Sequence, residues 1–302
     1  MIPTEETFDG TWPFPPRFSE APGFRMHYVD EGAGEPILCL HGEPTWGYLY
    51  RNFIPRLAGS HRVVVPDHMG FGKSETPQDR PYTLQAHVEN LVALVEELDL
   101  RDITLVLQDW GGPIGAAFTV RHPERVRRLV LMNTLAGYGR GPEGTPAVTS
   151  SPWFTWVGEA LETGRAEAVL RNMGTTVLSV MKMLGLRRTS VVDDTWVRAY
   201  SSPFPTPEEC LGAYEFPVHA YSGRIAEYVL EGLPGLDALK AKPAMLAEGM
   251  EDRAIPPERA IADFRDLWPT GPVVELPGVG HFCQEDAPEV LVPLVQQFIQ
   301  LT

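Results

Sequence analysis

The stretch LVLQDWGGPIG (Leu105–Gly115) combines an apolar run, an aspartate and two glycines. An apolar strand, a sharp glycine-rich turn and a helix, in that order, form the context of a nucleophile elbow, which exposes a reactive side chain at the tip of the turn. The usual pattern G-x-S-x-G places a serine there, whereas this sequence has Asp109, followed by Trp110. The stretch therefore predicts a strand, a turn and a helix with a carboxylate at the tip.

Short runs rich in valine, isoleucine and leucine recur on both sides of this stretch, with helix-like segments between them. Such alternation is typical of the α/β class, with a mostly parallel central sheet flanked by helices. The predicted strands are Phe24–Val29, Ile37–Leu40, Arg62–Pro66, Ile103–Gln108, Val126–Met132, Ala244–Glu248 and Val273–Leu276. The predicted helices are Leu84–Leu98, Gly111–His122, Pro257–Leu267 and Ala287–Leu301.

The alternation stops between residues 135 and 232, where glycine and proline break the sequence into helical fragments. The strand pattern then resumes, so the chain leaves the sheet and returns later to complete it. We therefore expect a core domain of residues 1–134 and 233–302, with an inserted helical cap of residues 135–232.

The composition limits the partners that the protein is expected to bind. A net charge of −15 and an isoelectric point near 5.0 disfavour nucleic acid and anionic membranes, because both would repel the chain. The sequence has no secretory leader pattern and no run of the roughly 18 apolar residues that a membrane span needs. Cys39, Cys210 and Cys283 are widely spaced among apolar residues, which favours reduced thiols in a cytoplasmic protein, and no metal-ligand spacing is present.

Polar residues follow four of the predicted strands, at the ends where functional groups gather in a parallel sheet. In chain order they are HGEPTW (His41–Trp46), Asp109 with Trp110, Asp252 in GMEDR, and His281 in PGVGHF. Each has an ordinary explanation when taken alone, since aspartate also caps helices and forms turns. Their shared position and the chain order of nucleophile, acid and histidine favour a catalytic site.

An aspartate nucleophile suits substitution at saturated carbon. A serine would form an ether there, which water does not cleave at useful rates, whereas Asp109 would form an ester. His281, oriented by Asp252, would then act as the base for the water that hydrolyses this ester. The backbone N–H groups of Glu43 and Trp110 are the predicted donors to the oxyanion.

The leaving group distinguishes two reactions of such a site. The oxygen of an opening epoxide needs a proton, best given by a tyrosine, and the candidates are Tyr200, Tyr214 and Tyr221. A departing halide needs only hydrogen-bond donors in an apolar pocket, and the indole of Trp110 is a donor. The sequence favours the halide reaction, with epoxide hydrolysis as an alternative.

The segments HGEPTW, VLQDWGG, YSSPFP (Tyr200–Pro205), GMEDR and GHFCQE together resemble the haloalkane dehalogenases of the α/β-hydrolase superfamily. The resemblance covers nearly the whole chain and is closest to the subfamily with two halide-binding tryptophans. It implies the α/β-hydrolase fold and a cofactor-free monomer. It also implies hydrolysis of a small neutral haloalkane to an alcohol, a halide ion and a proton.

The resemblance also assigns roles to individual residues. It implies a nucleophile at Asp109, a base at His281, an acid at Asp252, a halide donor at Trp110 and an oxyanion position at Glu43. Related subfamilies place the acid after the strand Val126–Met132 and carry an asparagine in the HG-x-PT motif. This sequence has Asn133 and Glu43 at those positions, so the second halide donor is expected from the cap.

Trp156 is the predicted second halide donor, with Trp153 as the runner-up. The two residues lie three apart in PWFTWVGEAL, so on a helix they would share one face, which we expect to cover the carboxyl edge of the sheet. Simple packing inside the cap is the alternative role for both.

Two further functions are compatible with the same residues. Enzymes similar to dehalogenases decarboxylate β-lactones with the same aspartate, and a protein that kept the fold without turnover would be a binding protein. The intact nucleophile, acid and base positions favour an enzyme.

Overall fold

The computed structural model describes residues 2–302. Within this range eight strands form one sheet in the order β1-β2-β4-β3-β5-β6-β7-β8. Strand β2 pairs antiparallel with both β1 and β4, and the remaining pairings are parallel. The strands are β1 (Arg17–Ser19), β2 (Met26–Gly32), β3 (Pro36–Leu40), β4 (Arg62–Pro66), β5 (Ile103–Gln108), β6 (Val126–Met132), β7 (Ala244–Gly249) and β8 (Val273–Leu276).

The helices fall into two groups along the chain. The first group accompanies the strands and comprises α1 (Ile54–Leu57), α2 (Leu84–Glu97), α3 (Gly111–Arg121), α11 (Pro257–Leu267), α12 (Cys283–Asp286) and α13 (Pro288–Leu301). The second lies between β6 and β7 and comprises α4 (Pro152–Glu162), α5 (Arg165–Leu170), α6 (Met173–Leu184), α7 (Asp194–Ser201), α8 (Leu211–Tyr221) and α9 (Ala226–Glu231), whereas α10 (Leu236–Lys240), which follows them, packs against α3 of the first group. We call this second group the cap helices.

The central strands correspond to nearly continuous apolar runs in the sequence. Every residue of β5 and of β7 is buried, as expected for parallel strands whose two faces are both covered by helices. Helix α3 packs against β3 and β5, and α11 packs against β7. The carboxyl ends of β3, β5 and β7 therefore lie along one edge of the sheet, which is where the site forms.

The predicted fold class is confirmed, and each predicted strand and helix has an observed counterpart. The largest displacement concerns the first predicted strand, Phe24–Val29, which is observed as β2. Strand β1 and helices α1 and α12 were not predicted, because elements of three or four residues carry too little periodicity. The insertion between β6 and β7 is observed, while the division into domains at residues 134 and 233 remains a proposal.

The structure also bears on the cysteines, on possible metal ligands and on membrane-spanning helices. Cys39, Cys210 and Cys283 are buried and take part in no disulfide. Across residues 2–302, no three side chains of histidine, cysteine, aspartate or glutamate are arranged to hold a metal ion. The helices in this part of the chain are too short or too polar to cross a membrane.

Candidate active site

Asp109 occupies the tip of the turn between β5 and α3, with a φ of 48°. This left-handed backbone conformation is unfavourable for a residue with a Cβ, and such strain is concentrated at functional positions. Gly111 and Gly112 permit the close turn, because a Cβ at these positions would overlap the carbonyl oxygen of Leu40 and the side chain of Thr134. The elbow predicted from LVLQDWGG is therefore present, with the Asp109 side chain at its tip.

Backbone donors from two loops hold the Asp109 carboxylate. The N–H of Glu43 donates to Asp109 Oδ2 at 2.8 Å, and the backbone N–H of Trp110 also acts to lower the pKa of this carboxylate. Gly42 provides the space, since a Cβ there would overlap the Asp109 side chain. The structure thus brings both predicted oxyanion donors to Asp109, and their catalytic role stays a prediction.

His281 connects the nucleophile position with the acid position. Its Nε2 lies 3.8 Å from Asp109 Oδ1, and its Nδ1 donates to Asp252 Oδ2 at 2.9 Å. The side-chain amide of Asn133 donates to the same Asp252 oxygen at 2.9 Å. The other oxygen of Asp252 accepts the backbone N–H groups of residues 254 and 255. The loops after β5, β7 and β8 therefore bring together the three residues predicted from strand ends.

The charges around His281 favour its protonated form. Burial by itself lowers the pKa of His281, but the charge and hydrogen bond of Asp252, together with the charges of Asp109 and Asp286, outweigh burial and hold the pKa above its ordinary value. Burial also raises the pKa of Asp109, against the opposing influence of His281 and the backbone donors. Esterification of Asp109 would remove one of these negative charges, so His281 would become easier to deprotonate when an ester is present.

A cavity of about 280 Å³ lies over Asp109 and Trp110. The ring of Trp110 stacks on Phe216 of α8, with centroids 4.3 Å apart and planes inclined by 12°, so a cap helix fixes the orientation of the indole. The remaining lining residues are apolar or small: Pro113, Leu135, Val148, Phe154, Ala220, Gly223, Ile225 and Ile255. Such a wall suits a neutral, apolar ligand.

The structure does not bring Trp156 or Trp153 into the cavity lining. Their indoles stack on each other at 5.2 Å, so they share one face of α4 as predicted. The residue of α4 that lines the cavity is Phe154. The side chain of Phe154 has no N–H to donate, and Trp156 as the second halide donor, with Trp153 as the runner-up, stays a prediction.

The tyrosines considered for epoxide opening are likewise absent from the cavity lining. The hydroxyl of Tyr200 donates to Glu285 Oε1 at 2.5 Å, and the ring of Tyr214 faces the guanidinium of Arg171. Tyr221 is one of the more exposed large side chains of the protein. These positions favour a leaving group that needs no proton from tyrosine.

Two contacts of the site were missed by the sequence analysis. Gln108 donates to the carbonyl oxygen of His281 at 3.1 Å, and its signal was a polar residue at the end of a mostly apolar strand. Phe216 stacks on Trp110, and no sequence signal marks it, because tertiary packing decides which face of a cap helix meets the cavity.

The sequence of the chain matches a known protein family. A family described as alpha/beta hydrolase fold matches residues 35–288, and the chain belongs to that family. The match agrees with the parallel sheet, the elbow and the order of the three site residues.

The chain is similar to two kinds of protein, oxetanone decarboxylases and haloalkane dehalogenases. The chain is 30% identical to a cis-3-alkyl-4-alkyloxetan-2-one decarboxylase of Shewanella oneidensis, with 97% of this chain and 91% of the relative covered. It is 32% identical to haloalkane dehalogenase 2 of Mycobacterium tuberculosis, with coverages of 95% and 96%. The solved structure of the haloalkane dehalogenase DatA from Agrobacterium tumefaciens matches with a TM-score of 0.81 at 26% identity, covering 95% of this chain and 97% of that chain. The predicted resemblance to haloalkane dehalogenases is confirmed.

Proposed function

We propose that the protein hydrolyses carbon–halogen bonds of small haloalkanes through an alkyl ester of Asp109. The observation that carries this proposal is the Asp109 carboxylate at the floor of an apolar cavity, with His281 Nε2 3.8 Å from its Oδ1. A carboxylate in this position attacks saturated carbon without help from a base, and the nearby imidazole is available for the later hydrolysis.

In the first step, an oxygen of Asp109 forms a bond to the halogen-bearing carbon. The carbon–halogen bond breaks and the halide departs with the bonding electron pair, toward the indole N–H of Trp110. Since Asp109 Oδ2 accepts the Glu43 N–H, we assign attack to Oδ1 and the ester carbonyl to Oδ2. The apolar side chains of the wall offer water no hydrogen-bond partners, so water competes less with the substrate for the carboxylate.

In the second step, His281 Nε2 takes a proton from water, and the water oxygen attacks Cγ of the Asp109 ester. The N–H groups of Glu43 and Trp110 stabilise the charge that develops on Oδ2. The intermediate then collapses, the bond between Cγ and Oδ1 breaks, and the alcohol leaves with the proton from His281. Asp109 then carries the second proton of the water and releases it as the carboxylate is regenerated, so the net products are alcohol, halide and a proton.

The cavity limits the size of the substrate. A non-hydrogen atom of a liquid occupies roughly the 30 Å³ of a water molecule, so a cavity of about 280 Å³ accommodates about nine such atoms. Its wall offers apolar side chains, with Trp110 as the indole donor. Unbranched bromo- and chloroalkanes of up to about eight carbons are therefore the proposed substrate class.

Decarboxylation of a β-lactone is a second candidate, and a cavity lining with Trp110 as its one indole is compatible with it, because this reaction releases no halide. Asp109 would displace the ring oxygen at the saturated C4, which frees a carboxylate on the neighbouring carbon. Loss of CO₂ would then expel the Asp109 carboxylate and leave an alkene, without consumption of water. The similarity to the Shewanella oneidensis decarboxylase supports the same candidate.

One product assay separates the two candidates. Purified protein is incubated with 1-bromohexane and, separately, with a short cis-3,4-dialkyl-oxetan-2-one, and bromide, alcohol, CO₂ and alkene are measured. We expect equal amounts of bromide and hexanol, with rates that fall for bromoalkanes longer than about eight carbons because the cavity is then filled. Alkene and CO₂ from the lactone, with no bromide from any bromoalkane, would replace the dehalogenase proposal by the decarboxylase.

A further inference from the structure

Gln108 is the last residue of β5 and directly precedes Asp109. Its side chain is fully buried, and its amide nitrogen makes two contacts with one residue, His281. The nitrogen donates to the His281 carbonyl oxygen at 3.1 Å and lies 3.3 Å from His281 Nε2. The second contact involves the imidazole nitrogen that faces Asp109.

The orientation of this amide follows from its neighbours. Exchanging its nitrogen and oxygen would place two carbonyl oxygens at hydrogen-bond distance, which is repulsive. The nitrogen therefore faces His281, with one N–H for the carbonyl and one for Nε2. The amide oxygen of Gln108 has no hydrogen-bond partner within residues 2–302, so the side-chain hydrogen bonds of Gln108 are all directed at His281.

An N–H that points at Nε2 constrains the proton positions of the imidazole. Nε2 accepts this bond only when it carries a lone pair, and Nδ1 then carries the proton that it donates to Asp252. This neutral form is the one that takes a proton from water, and the attacking water then takes the place of the Gln108 N–H at the single lone pair of Nε2. We propose that Gln108 is a positioning residue that holds His281 in its neutral, Nδ1-protonated form, ready to act as the base.

This role matters because the charged groups around His281 act in the opposite direction. Asp252 after β7, Asp109 at the elbow and Asp286 on α12 carry negative charges near the imidazole, and each favours the imidazolium form. A hydrogen bond donated to the neutral form opposes them. Gln108 thereby keeps part of the His281 population neutral, and so able to accept a proton, at moderate pH. The effect of Gln108 on ester hydrolysis rests on the proposed function.

The direct test is the titration of His281 itself, followed by NMR in protein with isotopically labelled histidine. The protein has eight histidines, and the signal of His281 is identified as the one that disappears in His281→Gln. Gln108→Met has a side chain of similar length without a donor, so we expect His281 to titrate at higher pH than in the wild type. Gln296→Met, a change of the same kind on α13, should leave the titration unchanged.

The kinetic readout is the pH profile of ester hydrolysis. On the acid side of the profile, Gln108→Met should hydrolyse the ester about two- to tenfold more slowly, the factor that an ordinary hydrogen bond contributes. The plateau at high pH, where His281 is neutral in both proteins, should agree within about twofold. A uniform loss at every pH would indicate a purely structural role and would overturn the proposal.

The two readouts keep this inference separate from the proposed function. If His281 titrates at higher pH in Gln108→Met than in the wild type, the role of Gln108 is supported even when no substrate is turned over. If His281 titrates at the same or lower pH, that role is overturned even when haloalkanes are hydrolysed. If Gln108→Met does not fold, Gln108→Asn provides the same test, because its shorter side chain keeps an amide but withdraws the donor from Nε2.

Discussion

His281→Gln is expected to release one halide per site and then stop, with alkylated Asp109 as the accumulated species. The carboxylate needs no base to attack carbon, so loss of the imidazole should leave the first step intact. Hydrolysis of the ester should slow by about 10²- to 10⁴-fold, the usual contribution of a general base. Quenched-flow measurement of halide, with mass spectrometry of the intact protein, gives both quantities.

The matched control is His122→Gln at the partly exposed end of α3, which should turn over like the wild type. A His281→Gln protein that binds substrate but releases no halide and shows no adduct would contradict the order of steps. It would indicate that His281 is needed before the carbon–halogen bond breaks.

Asp252→Asn is expected to slow ester hydrolysis by about 10²-fold or more, while the halide burst remains. Asp252 Oδ2 accepts the Nδ1–H of His281 at 2.9 Å and stabilises the imidazolium that forms when water loses its proton. An amide at this position loses the charge. It can also turn its N–H toward Nδ1, which would favour the wrong tautomer of His281.

Asn133 supplies the control for this assignment. Its amide donates to the same oxygen of Asp252, so Asn133→Asp alone would set two carboxylates against each other and should impair the enzyme. In the double mutant with Asp252→Asn, one carboxylate again faces one amide, and part of the hydrolysis should return. Full steady-state turnover of Asp252→Asn would exclude Asp252 as the acid, and a normal Asn133→Asp would contradict the observed contact.

The sequence predicted the parts of the site that depend on secondary structure. Asp109, Asp252 and His281 each follow an apolar run, and the carboxyl ends of parallel strands lie at one edge of the sheet. Their approach in the structure therefore follows from the strand pattern and the chain order. The positive φ of Asp109 likewise follows from the elbow motif, with its two glycines immediately after Trp110.

The remaining parts depend on tertiary contacts that no local pattern encodes. The spacing of Trp153 and Trp156 predicted that they share a face of α4, but not that Phe154 would meet the cavity. The rotation of a cap helix is decided by everything it packs against, including Arg253, whose carbonyl oxygen accepts the backbone N–H of Trp153. The contact of Gln108 with His281 joins residues 173 positions apart.

The central claim is that water attacks Cγ of an Asp109 ester, and not the carbon of the substrate. It is tested most directly by a single turnover of 1-bromohexane in ¹⁸O-labelled water with enzyme in excess, followed by mass spectrometry of the peptide that contains Asp109. We expect one ¹⁸O atom in the Asp109 carboxylate and none in the hexanol, because the alcohol oxygen comes from Asp109. Label in the hexanol alone, with Asp109 unlabelled, would mean direct attack by water and would rule out the ester intermediate.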